Sequence, residues 1–142
     1  MSIEKLMAAV KDELRNVPYL YGTPVIVEDL GDISNGIEVY FGKSTRCVVV
    51  MFAGSDPVNQ GTELLVDNVK IAARCYDKPA LTRVDKPGCT LLGMAQAIAH
   101  GLQGKKAPEM TSRLFYRGIS QISQHNKDVV SVDVFFDTKE TI

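Results

Sequence analysis

Histidine is scarce in this chain: His100 and His125 are the only two. Nucleophilic catalysis depends on an activating base, most often histidine, so a hydrolytic site has few residues from which to be built. Cysteine is also sparse. Cys47, Cys75 and Cys89 form an odd set scattered over apolar stretches, matching neither a disulfide framework nor a zinc site, and they read as reduced, buried residues. No run approaches the roughly 20 apolar residues that cross a bilayer. The opening Met1-Ser2-Ile3-Glu4-Lys5 lacks the positively charged segment and continuous apolar run of a secretory signal, so a soluble cytoplasmic protein is expected. An excess of either charge is missing too. The 16 Lys and Arg against 17 Asp and Glu leave a net charge of −1, which removes a global electrostatic reason to bind nucleic acid or an anionic membrane. There is no internal repeat and no low-complexity tract.

What is present fits one globular domain over residues 1–142, with 45% hydrophobic and 23% charged residues, close to the average for such domains. Ile3, Leu6, Met7, Val10 and Leu14 fall on one stripe of a helix that Asn16 and Pro18 end. Val25 to Glu28, Ile37 to Phe41 and Cys47 to Phe52 read as neighbouring antiparallel strands separated by turn-forming residues. Cys47 to Phe52 is continuously apolar, as a central strand covered on both faces would be. Ala53 to Thr62 is a loop by composition. Glu63 to Tyr76 reads as a long strand with a bulge near Asp67-Asn68, and Asp77 to Lys86 as a second loop.

Leu91, Ala95, Ile98 and Leu102 mark a second helix, Leu91 to Gln103, for which Asp85 supplies a cap and Pro87 a first-turn residue. Arg113 to Ser123 and Val130 to Asp137 form a closing strand pair, with Gln124 to Asp128 as its turn. Val130, Val132, Val134 and Phe136 then share one face. The expected fold class is α+β, a mainly antiparallel sheet of five or six strands with two helices packed on one face.

The candidates for chemistry are few. His100 lies near a helix end, where a cation complements the dipole, and His125 lies in a polar turn. Cys89 precedes the second helix, where a thiol pKa can fall, but Pro87-Gly88 more simply marks a helix start. Gly42-Lys43-Ser44-Thr45 lacks the earlier glycine of a phosphate loop and leads into a strand, so it reads as a turn. The acidic residues Glu28, Asp29 and Asp32 point to opposite strand faces when adjacent, a weak arrangement for a metal. Lys105, Lys106, Arg113 and Arg117 make the densest basic neighbourhood, for which a subunit-facing or solvated surface is preferred over a nucleic-acid site. No catalytic, cofactor-binding or metal-binding residue is assigned.

With these elements placed, the layout resembles the tail-terminator and minor tail proteins of long-tailed bacteriophages, including the Mu-like prophage tail proteins and the lambda minor tail protein U group. The resemblance is carried by the helix Ile3 to Arg15, the strand run ending at Tyr76, the helix Leu91 to Gln103 and the pair Arg113 to Ser123 and Val129 to Phe136. It implies a non-enzymatic, structural role without cofactors. Subunits would close into a ring of about six that caps the tail tube and joins it to the head, contacting tail-tube and head-completion proteins while DNA passes through unbound. The implied location is the virion tail, reached from the host cytoplasm during assembly. A head-to-tail connector is the near alternative, and a small enzyme or ligand-binding domain using Cys89 or a histidine the distant one. The resemblance supplies no signature polar residues. From the loops and the basic strand, the candidate interface residues are Asp56, Asn59, Tyr76, Asp77, Arg83, Arg113 and Arg117.

Overall fold

The computed structural model describes residues 1–28, 38–58 and 64–142. Helix α1 (Ile3–Arg15) forms on the expected stripe. Ser2 caps it by accepting the Lys5 amide at 3.1 Å, Glu4 and Arg15 complement its dipole, and Leu6, Met7, Val10 and Leu14 are buried. A single 3-10 turn, Pro18–Leu20, leads to strand β1 (Val25–Val27).

β1 pairs with β2 (Arg46–Pro57) in parallel, matching Val25 to Val48 and Val27 to Val50, which corrects the expected antiparallel arrangement. Residues 28–45 between them exceed the dozen or so that a parallel crossover requires. The run expected as a middle strand, Ile37 to Phe41, is instead the short helix α2 (Glu38–Phe41), with Ile37 outside the described residues. The physical reason is that only Phe41 turns inward, at 1% exposure, while Val39 is left 59% exposed.

β2 continues well past Phe52. Gly54, with φ of +106°, sits in a bulge between Phe52 and Ser55 that inserts one extra residue opposite Ile71 and Val69. The expected loop from Ala53 is therefore strand as far as Pro57, and its later residues 59–62 lie outside the described ones. β3 (Val66–Asp77) pairs without interruption to β6 (Val130–Thr141), so the bulge predicted at Asp67-Asn68 belongs to the neighbouring strand instead.

Helix α3 (Pro79–Asp85) occupies what was expected to be a loop, starting on a proline whose missing N–H costs nothing there. Asp85 ends α3 and caps nothing after it. Thr90 caps α4 (Leu91–Leu102), accepting the Gly93 amide at 2.9 Å, and Gln103 is the C-cap. The expected strand Arg113 to Ser123 is split into β4 (Phe115–Ile119) and β5 (Ser123–Gln124), both on the same flank of β6, after a bulge at Tyr116 and Gly118.

The six-stranded sheet runs β1-β2-β3-β6-β4, with β5 also on β6. Alternate residues Val48 and Val50, Val69 to Cys75, and Val132 to Phe136 join Leu6, Val10, Met94, Ile98 and Leu102 in one core, so α1 and α4 cover the same face. Glycine allows the close approach of the chain before β1: a Cβ on Gly93 would come within 2.3 Å of the Tyr19 hydroxyl, and one on Gly101 within 2.8 Å of Val17. A smaller cluster of Phe41, Cys47, Val49, Tyr76 and Val129 sits on the opposite face, where α2 covers only one end of the sheet. Both faces of Cys47 to Val50 are thus covered, as its continuous apolarity requires.

Candidate subunit interface

The long strands give the molecule two ends. At the proximal end Arg46, Asp77 and Val130 lie side by side, and at the distal end Pro57, Asp67 and Glu140 do.

Asp56 lies at the distal end, exposed, with one carboxylate oxygen 2.9 Å from the Lys70 ammonium. Asn59 falls outside the described residues. Tyr76, expected to end a strand, and Asp77, expected to open a loop, both belong to β3 and are buried at the proximal end. Tyr76 packs between Phe41 and His125, with ring centroids at 6.2 and 5.2 Å. Asp77 accepts the Thr82 hydroxyl, and burial pushes its carboxyl pKa upward against the opposing pull of that bond and of Arg46.

Arg46 itself is 1% exposed. One Nη donates to the Tyr19 carbonyl at 3.1 Å and the Thr23 hydroxyl at 2.8 Å, while Nε and the other Nη meet no acceptor among the described residues. Composition gave no sign of this buried cation. The apolar run that follows it was the only signal that Arg46 could be drawn inside.

Arg83 is exposed on α3. It lines a groove of about 600 Å³ whose walls include Cys89, Leu91, Leu92, Ile122 and Val130. Arg113 and Arg117 are exposed near the sheet edge but already engaged: Arg113 donates to the Gly104 carbonyl at 2.8 Å, and Arg117 Nε lies 2.8 Å from Asp137 with its guanidinium over Phe115. Lys105 and Lys106 are exposed on the preceding connection. The predicted set is therefore not one patch. It divides among the distal end, the proximal end and the β4 edge.

The residues considered for catalysis are also dispersed. Cys89 precedes the N-terminus of α4 and His100 lies in its last turn, with about 13 Å of helix from Leu91 to His100 between them. His125 is exposed and its Nε2 is 2.6 Å from the Ser131 hydroxyl. Cys47 and Cys75 are fully buried, and burial raises both thiol pKa values, that of Cys47 to about 12, which keeps them protonated. Among the described residues no group of three His, Cys, Asp or Glu is placed to hold a metal ion. Gly42-Lys43 is a turn leading into β2, without a helix at whose N-terminus a phosphate could sit.

No family model and no curated protein matches the chain. In three dimensions its fold is similar to that of a chain in a solved structure described as "Virion of native gene transfer agent (GTA) particle", with a TM-score of 0.56 and 17% sequence identity over 96% of this chain and 95% of that one.

Proposed function

We propose that this protein is a structural subunit of a phage-type particle, and specifically a tail terminator: copies close into a ring that caps the tail tube and joins it to the head. The observation carrying this reading is the fold likeness to a virion chain, which spans nearly the whole length of both molecules. The order of elements that resembles tail-terminator proteins points the same way. A ring subunit needs a rigid sheet and solvent-facing ends for its neighbours, and the strands β2, β3 and β6, each of 12 residues, supply both. Its partners are further copies of itself together with tail-tube and head-completion proteins. The balanced charge suits a conduit through which DNA moves without being held.

Native mass spectrometry and negative-stain electron microscopy of the purified chain test the reading. The expected result is a closed ring of about six copies. A strict monomer at high protein concentration overturns it.

A further inference from the structure

Arg46 and Asp77 stand opposite one another in the β2–β3 register, so their side chains leave the same face of the sheet with Cβ atoms about 5 Å apart. Both are buried, at 1% and 2% exposure. A charge taken so far out of water is costly unless an opposite charge lies near it, and in a low-dielectric interior that attraction acts beyond hydrogen-bond distance. The two groups do not touch: Nε and one Nη of Arg46 meet no acceptor among the described residues, the Asp77 carboxylate included. Arg46 nevertheless pulls the Asp77 pKa down against the rise that burial imposes.

Each charge also fastens a different covering segment. Arg46 donates to the Tyr19 carbonyl and the Thr23 hydroxyl, with its guanidinium 5.5 Å from the centroid of the Tyr19 ring, and so holds the chain that precedes β1. Asp77 accepts the hydroxyl of Thr82, which also lies 2.9 Å from the Thr45 hydroxyl, and so holds α3. Two segments far apart in sequence thus hang from neighbouring charges of opposite sign. An exposed bridge runs alongside, from the Lys86 ammonium to the Tyr21 carbonyl at 3.0 Å, where water competes for both groups.

We infer that Arg46 and Asp77 act as one buried electrostatic latch, through which residues 18–23 and α3 are held or released together. A change of charge at Asp77 then reaches Tyr21 and Thr23, to which Asp77 makes no hydrogen bond.

The test is native-state hydrogen exchange, read by NMR, on the full chain carrying Asp77→Asn, which keeps an acceptor for Thr82 and removes the charge. The reporters are the amides of Tyr21 and Thr23, bonded to the Pro18 and Leu20 carbonyls, and those of Thr82 and Lys86, bonded to the Lys78 and Thr82 carbonyls. Both sets should exchange about tenfold faster, and by a larger factor than Val10 in α1. Acceleration confined to α3 overturns the latch. The same response is expected in a Lys86→Met background, and its disappearance there would assign the coupling to the exposed bridge instead. In urea denaturation, Arg46→Met and Asp77→Asn should each lower the folding equilibrium constant by about tenfold or more, with the double variant falling short of the product of the two factors by about tenfold. A purely multiplicative result also overturns the latch, as does a coupling of Asp77 to Arg83, the exposed cation on the same groove, in the matching Arg83→Met cycle. Should Arg46→Met fail to fold, the exchange measurement on Asp77→Asn decides alone.

Discussion

On the face carrying α1 and α4, alternate β3 residues from Val69 to Cys75 are apolar and fully buried. On the opposite face the intervening Lys70 and Arg74 are held by Asp56 and Asp133. The same strand therefore stabilises its two sides by different means. Burial under the helices removes apolar area from water at about 25 cal/mol per Å², whereas a half-exposed ion pair contributes about 1 kcal/mol or less. The helix-covered face holds the fold together. Away from the buried cluster of Phe41, Cys47, Val49, Tyr76 and Val129, the other face relies on such pairs and is comparatively free to change its residues without unfolding the chain.

The strongest challenge to this contrast is Phe136→Ala on the helix side. Phe136 is 1% exposed and meets Tyr116 edge-on at 6.1 Å, so truncation should cost about 3 to 5 kcal/mol in urea denaturation. A loss comparable to that of a surface substitution would show that the core is not where stability resides.

Next in size is Gly93→Ala. In an isolated helix alanine gains about 1 kcal/mol over glycine, but here the added methyl collides with the Tyr19 hydroxyl, which accepts the Thr90 amide at 3.0 Å. A net loss of about 1 to 3 kcal/mol is expected, shrinking in a Tyr19→Phe background. Equal losses in both backgrounds would remove the hydroxyl from the explanation.

On the open face, Asp133→Asn breaks a two-pronged bond from Arg74, at 2.7 and 3.1 Å, and should lower stability by about 1 kcal/mol. Lys70→Ala, at a more exposed pair, should leave the denaturation midpoint where it is.

A last expectation concerns pH. The Cys47 thiol stays protonated in the folded state up to about pH 12, while in the unfolded chain it ionises from its ordinary value of 9.0. The native protein then binds more protons than the unfolded one, so stability should fall gradually as pH rises from 9 towards 12. The buried Cys75 thiol, raised as well, adds to that slope, so Cys47→Ala should lessen it without abolishing it, and thiol labelling of the native protein at pH 8 should modify Cys89 alone. Rapid native labelling of Cys47 would contradict its burial.

The parts of this fold that could be read in advance are those whose apolar spacing is unbroken. The stripes Leu6 to Leu14 and Leu91 to Leu102 and the alternation Val130 to Phe136 each report the surface they cover. Three features were hidden for physical reasons. α2 and α3 are one or two turns long, too short to show a stripe, yet they and the turn at His125 are what enclose Tyr76 and Asp77. The direction of β1 depends on the path of its connection to β2 and leaves no trace in three residues of strand. The composition of Gly54 to Pro57 looks like a loop because its alternation changes phase at the bulge. Of the candidate interface residues, Asp56 and Arg83 are exposed, as their polar character suggested, whereas Leu92 and Ile122, exposed as well, look in the sequence like ordinary core positions.

That bulge has a consequence for how the hairpin arm can vary. One surplus residue at Gly54 lets Ser55 and Pro57 sit opposite Val69 and Asp67, leaving Asp56 on the side where Lys70 awaits it. Because side chains alternate with a period of two, lengthening or trimming both strands of the arm beyond this point by pairs of residues keeps each side chain's orientation, whereas an odd change in one strand turns its inside out. The arm can therefore be re-cut in steps of two with the body of the sheet left as it is.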